Sequence, residues 1–255
     1  SMNTNKTDLN FDFGFKALKG GPIYIQRTRI SGEQKNNEML LAIQAYNNEE
    51  KLINVNSKIT GTRNELIFKV QPEGLTFNQE PWTIPDSNEM VYSENRLKFT
   101  DFKISNGSQS VEITDNLKNI TKEHIALDFR DFNLGDFLSY FNTEKTLASG
   151  AINGDFVLEE PFQNTGILAD IEISKLEVLK ANLGVLALTG RSLGGNSYAF
   201  NSTLKGGDVT LDLVGDYIAN STGAKLDLNL DIKEFKMIAL EKFSQGYLKN
   251  TSGNF

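Results

Sequence analysis

The sequence predicts an all-β protein, an elongated array of antiparallel strands in stacked repeats with two short helices. Three observations predict it. Apolar and polar residues alternate along most of the chain, turn residues separate the alternating runs, and one strand-helix passage recurs at a fixed offset. The alternation is clearest in Lys225-Leu-Asp-Leu-Asn-Leu-Asp-Ile-Lys-Glu-Phe235, where Leu226, Leu228, Leu230 and Ile232 share one parity. A strand turns successive side chains to opposite faces, so this segment has one apolar and one polar face.

Taken in order, Ile53, Val55, Ser57 and Ile59 share a parity, and so do Leu66, Phe68 and Val70. Val111 with Ile113 follows, then Ile125, Leu127 and Phe129. Further runs start at Ile152, Ile167, Tyr198 and Leu211. Turn signals lie between them at Asn106-Gly107, Gly194-Gly195, Gly206-Gly207 and Ser221-Thr-Gly223. Short strands with one polar face are the mark of antiparallel sheet. Between Phe99 and Phe102 the parity slips, which predicts a bulge or bend. Residues 39–46 suit helix by composition, but the turn-forming Asn47-Asn-Glu-Glu50 behind them favours a strand. Leu134, Phe137, Leu138 and Phe141 have helical spacing, so 134–142 is expected to be a short amphipathic helix, with a second near 237–244.

Leu127-Asp-Phe-Arg-Asp-Phe132 matches Leu230-Asp-Ile-Lys-Glu-Phe235 in chemical type at every position, an offset of 103 residues from Phe132 to Phe235. At that offset Leu134 meets Met237, Phe137 meets Leu240, Tyr140 meets Phe243, and Ser149-Gly150 meets Ser252-Gly253. A repeated amphipathic β unit favours a stacked array over a closed barrel. The expected organisation is a leading segment over 1–39, a β repeat with Trp82 over 40–133, and further repeat units over 134–255, truncated at the C-terminal end. Ser1-Met2 has the look of an expression scar, and the chain is expected to be a piece of a longer protein.

Composition narrows the function. A net charge of −7 and a pI near 4.9 lack the basic footprint that nucleic acid or an anionic membrane surface attracts. Without cysteine there is no thiol catalysis or thiolate metal site. The single histidine, His124, is expected to be a solvated turn residue rather than a general base. Asp128 with Asp131 and Asp227 with Asp231 fall on the polar parity, where strand alternation yields such pairs without catalysis. The glycine pairs open no helix and form no phosphate-binding fingerprint. The Asn-x-Ser/Thr sequons, among them those at Asn106, Asn119, Asn201 and Asn220, are what chance gives in a chain rich in these residues. The expectation is a protein that is not an enzyme, with no cofactor and no metal.

Several stretches carry a family resemblance. They are Glu80-Pro-Trp-Thr-Ile-Pro85, Leu97-Lys-Phe-Thr-Asp-Phe-Lys-Ile-Ser-Asn-Gly-Ser-Gln-Ser-Val111, Asp131-Phe-Asn-Leu-Gly-Asp-Phe-Leu138, Ser149-Gly-Ala-Ile-Asn-Gly-Asp-Phe156 and Leu183-Gly-Val-Leu-Ala-Leu188. In this order, over most of 40–255, they resemble the TamB branch of the AsmA-like proteins, particularly the long Bacteroidetes forms. The resemblance implies a curved antiparallel β groove, a half-pipe or β-taco, anchored in the inner membrane by a segment outside this chain and reaching across the periplasm. It further implies conduction of phospholipid between inner and outer membranes, and work with an Omp85-family barrel in outer-membrane assembly. The family has no catalytic residues to carry over.

Under this expectation Phe129, Phe156, Ile171, Phe200, Leu213, Leu228 and Leu230 line a surface for phospholipid acyl chains. Desolvating a tail is worth about 0.8 kcal/mol per CH₂, or roughly 12 kcal/mol for sixteen carbons, so a conduit needs an unbroken apolar lining. Small residues on the same parity, Gly154, Ala169, Ser202 and Gly215, leave width for a ligand or suit a tightly curved sheet. The alternatives at this stage are an ordinary core between two packed sheets, a structural or adhesive all-β module, and a closed lipocalin-like carrier.

Overall fold

In the computed structural model the chain is described from residue 2 to residue 254, except 6–7, 21–22, 48, 140, 142–145, 164, 221–222 and 245–246. It is all-β, with two large antiparallel sheets and two short helices, and neither sheet closes. The chain divides into two compact units, residues 1–115 with 136–146, and residues 116–135 with 147–255.

The first unit starts with β1 (Met2–Asn5), β2 (Asp8–Gly20), β3 (Ile23–Lys35), β4 (Glu38–Asn47), β5 (Glu50–Gly61) and β6 (Glu65–Val70). Each pairs with the next, as a meander. The ambiguous 39–46 segment is strand β4, and Asn47 pairs with Glu50 across the expected turn. After the two-residue strands β7 (Thr76–Phe77) and β8 (Glu80–Pro81), β9 (Glu89–Ser93) pairs with β6 and β10 (Arg96–Thr100) with β9. A hairpin of β11 (Lys103–Asn106) and β12 (Gln109–Thr114) follows, with Gly107 at positive φ in its turn.

The parity slip is a bend between β10 and β11. Asp101 takes φ 45°, and the rings of Phe99 and Phe102 meet edge to face at 6.0 Å. The Trp82 motif is a packing device. Trp82 is buried with its ring edge-on to Phe77 at 5.8 Å, and its backbone N–H donates to the Leu75 carbonyl. Asn88, fully buried, accepts from the Val70 N–H and donates to the carbonyls of Val70 and Pro85. Those bonds satisfy a buried amide and fix the 71–88 connection against the end of β6.

The second unit is a meander of β13 (His124–Asn133), β14 (Ala148–Glu159), β15 (Gly166–Val178), β16 (Ala181–Gly194), β17 (Ser197–Lys205), β18 (Val209–Asn220) and β19 (Gly223–Phe235). Helix α1 (Leu134–Ser139) follows β13, its residues from Asp136 on belonging to the first unit, and α2 (Met237–Phe243) follows β19. Both lie where sequence spacing puts them. The remainder of the expected first helix falls partly on residues outside the described set. Its core lies at one end of the strands, where Leu176, Ala181, Leu183, Leu204, Val209 and Ala239 of α2 are buried together. Here α2 covers the apolar side.

Candidate functional site: the apolar face of the second sheet

Directly paired residues of an antiparallel sheet lie on the same face, so the register shows which side chains share a surface. One rung across β13 to β19, seven strands of a nine-stranded sheet, reads Phe129–Gly154–Ile171–Leu188–Ser202–Leu213–Leu230. The next reads Leu127–Phe156–Ala169–Gly190–Phe200–Gly215–Leu228. Phe129, Phe156, Ile171, Phe200, Leu213, Leu228 and Leu230 therefore all stand on one face, on two adjacent rungs. A third rung towards the covered end adds Phe132, Ile152, Ile173, Leu186, Leu204, Leu211 and Ile232.

None of the seven is fully buried. Phe129, Phe156, Ile171, Phe200 and Leu213 are half-buried, while Leu228 and Leu230 are 51 % and 52 % exposed. A residue enclosed between two packed sheets would be almost inaccessible, so an ordinary sandwich core does not describe these positions. The apolar side changes character along the strands, from covered near α2 to open at the two rungs above.

The small residues on this face are not empty space throughout. The ring of Phe200 lies over Gly215 so closely that a Cβ there would sit 2.2 Å from Cζ. At Gly154, with φ 112°, a Cβ would meet the Asp170 carbonyl oxygen at 1.9 Å, so a close backbone approach demands that glycine. Gly190 differs: a Cβ there would make only ordinary contact, 3.7 Å from the Ala169 Cβ. Tight backbone geometry explains Gly154, while the space at Gly215 is filled by the Phe200 ring, which neither sequence reading of these residues included.

Bulges bend the strands beside this face. In β13 the register shifts between Phe129 and Phe132, with Asp131 at φ 46°, and β14 shifts against β15 at Gly150. In β15 it shifts between Ile173 and Leu176, with Lys175 at φ 51°. Bulges of this kind raise the local twist and bend the strand that carries them.

The opposite face carries an acidic rung, Asp128–Asp155–Asp170, across β13, β14 and β15. Asp128 accepts from Arg130 at 2.9 Å through Oδ2. Its Oδ1 and the Oδ1 of Asp155 are buried without a hydrogen-bond partner. Burial pushes the Asp155 carboxyl above its ordinary 3.8; the Asp128 and Asp170 carboxylates push it the same way, against Arg130.

His124 is not a solvated turn residue. It is 4 % exposed at the start of β13, and its Nε2 accepts the Leu117 N–H at 2.9 Å. That leaves Nδ1 as the donor to the Lys122 carbonyl at 2.7 Å. The ring closes the 117–123 turn; a lone polar residue before a strand gave no sign that backbone groups would surround it.

The first unit has an apolar face that the sequence reading did not single out. Phe13–Ile30–Ile43–Val55 form one rung, and Phe11–Gly32–Leu41–Ser57–Val70 the next. Phe13 is 62 % exposed, and Phe15, Ile30 and Ile43 are exposed too. The signal was present in Leu9-Asn-Phe-Asp-Phe-Gly-Phe15, which alternates as cleanly as β19 does.

Among the described residues, no group of three or more His, Asp or Glu side chains is placed to hold a metal ion, and no helix is long and apolar enough to cross a membrane. The chain matches no protein-family model, and neither a curated protein nor a solved structure matches it significantly.

Proposed function

We propose that this chain is a segment of a non-enzymatic lipid conduit, in which the apolar face of the sheet takes up phospholipid acyl chains. The observation that carries the proposal is the two-rung apolar field across seven strands, open at the end away from α2. A field of this kind gives a sliding tail continuous apolar contact, and each CH₂ kept from water is worth about 0.8 kcal/mol. The bulges at Asp131, Gly150 and Lys175 support this reading, since bulges are a means by which strands bend towards a groove. The family resemblance supplies the setting: a periplasmic, inner-membrane-anchored protein of stacked repeats that passes phospholipid towards the outer membrane and works with an Omp85-family barrel. Open sheets with free edges fit such a groove better than a closed carrier.

The test is lipid content. Protein purified without detergent from a phospholipid-containing host is expected to release phospholipid on organic extraction, identified by mass spectrometry. Leu228→Asp with Leu230→Asp is expected to release several-fold less while keeping its circular dichroism spectrum. Equal lipid content in the folded variant would overturn the assignment of this face.

A further inference from the structure

We infer that the outer edge of β19 is a docking edge for one more extended strand, which enters antiparallel at Asn254 in a register fixed by the 103-residue repeat. Asn133, the last residue of β13, pairs with Ala151 of β14 after the chain has passed through α1. At an offset of 103 residues the equivalent pair is Lys236 with Asn254, and the structure contains that pair as an isolated antiparallel bridge after α2. The Met237 N–H also donates to the Gly253 carbonyl, and Gly253 takes positive φ as Gly150 does. The chain thus turns back onto β19 as it turned back from α1 onto β13.

β19 itself is built to be paired. Among the described residues its other edge meets only Asn254, next to its end, and every residue from Gly223 to Lys233 is exposed. It is 13 residues long and contains no proline, and its one register shift against β18 lies near its end. A free edge of that length with an apolar face is normally shortened, bulged or covered. The occupant is therefore an extended segment with apolar side chains at every second position, facing Leu226, Leu228, Leu230 and Ile232. Its polar side chains lie beside Asp227 and Asp231, which already pair with Asp216 and Asp212 of β18. Lys233 pairs with Asp212 and Lys225 lies 3.6 Å from Asp227, but four carboxylates against two lysines still favour basic residues on the incoming strand. The inference rests on the repeat and not on the lipid proposal.

The test extends the chain. A copy of residues 153–159 is joined after Phe255, so that the register of β14 on β13 is reproduced on β19. Ala126 pairs with Val157, so the copy of Val157 should face Asn229. The chain has no cysteine, so Asn229→Cys can be combined with a cysteine at the copy of Phe156, Val157 or Leu158. The expected result is an intramolecular disulfide roughly ten-fold faster at the Val157 copy than at either neighbour, since disulfides tolerate only a narrow Cβ separation. Lysines at the copies of Asp155 and Glu159 should raise the yield roughly three-fold, and Asp227→Lys with Asp231→Lys should reverse that preference. Equal trapping at all three positions would overturn the inference. So would dimers linked through Cys at 229 of two chains, which would make a second copy the occupant.

Discussion

Phe200 and Gly215 are direct partners across β17 and β18, and the aromatic ring fills the space a side chain on the glycine would need. Gly215→Ala is therefore expected to push the ring aside and cost about 1–3 kcal/mol. Phe200→Ala should remove most of that penalty, because the obstacle is a side chain and not backbone. Urea denaturation of the two single variants and the double variant checks this; additive costs would mean that the ring and the glycine are not coupled.

Gly154 makes a sharper demand. A methyl group there meets the Asp170 carbonyl at 1.9 Å on a backbone with φ 112°. Gly154→Ala is expected to cost about 3–5 kcal/mol or to prevent folding. No change at Phe200 or Phe129 should rescue it, and thermal melting beside Gly215→Ala ranks the two.

Asp155 gives a pH dependence whose sign follows from its raised carboxyl. Below the ordinary 3.8 the group is protonated in folded and unfolded chains alike, and it imposes no penalty. As pH rises through that value towards the higher folded one, the unfolded chain ionises first and stability falls. Asp155→Asn should therefore raise the melting temperature at pH 7, with the gain shrinking as pH falls through the carboxylate range. A gain independent of pH would remove Asp155 ionisation as its cause.

His124→Ala leaves the Leu117 amide without an acceptor and the Lys122 carbonyl without a donor. The expected loss is about 1–3 kcal/mol of stability. Lipid content should be unchanged in the folded fraction, which separates a structural ring from a chemical one by melting and lipid extraction on the same sample.

Strand alternation made the architecture legible, since parity alone identifies the shared face once the strands pair in order. Phe129 and Leu230 lie five strands of intervening sheet apart, and yet each carried its face in its own neighbours. Turn chemistry was equally direct at Asn106-Gly107, and helical spacing at Leu134 and Phe137. Three things were not legible. The passage from one unit to the other at Asp115–Asn116 has no shift in composition. The burial of His124 depends on backbone groups brought round by a turn, which no side-chain pattern encodes. The filling of Gly215 by Phe200 depends on register between strands, and a glycine on an apolar parity reads the same whether the space above it is vacant or taken.

The contrast between open and covered ends of one face offers a further check. Leu204 is buried beneath α2 while Leu228 is half exposed on the same side of the sheet. Leu204→Asp should unfold the second unit, since a buried unpaired carboxylate costs several kcal/mol. Leu228→Asp should leave the melting temperature nearly unchanged, and equal damage from both would place Leu228 in a closed core.

The most direct test of acyl-chain contact is photo-crosslinking with benzoylphenylalanine at Leu228, Leu213 and Asn229, with the protein incubated with phosphatidylethanolamine–phosphatidylglycerol vesicles. Leu228 and Leu213 share the apolar face, and Asn229 stands on the opposite one. The account predicts phospholipid adducts by mass spectrometry at Leu228 and Leu213 and none above background at Asn229. Adducts at Asn229 equal to those at Leu228, or none at either apolar position, would contradict it.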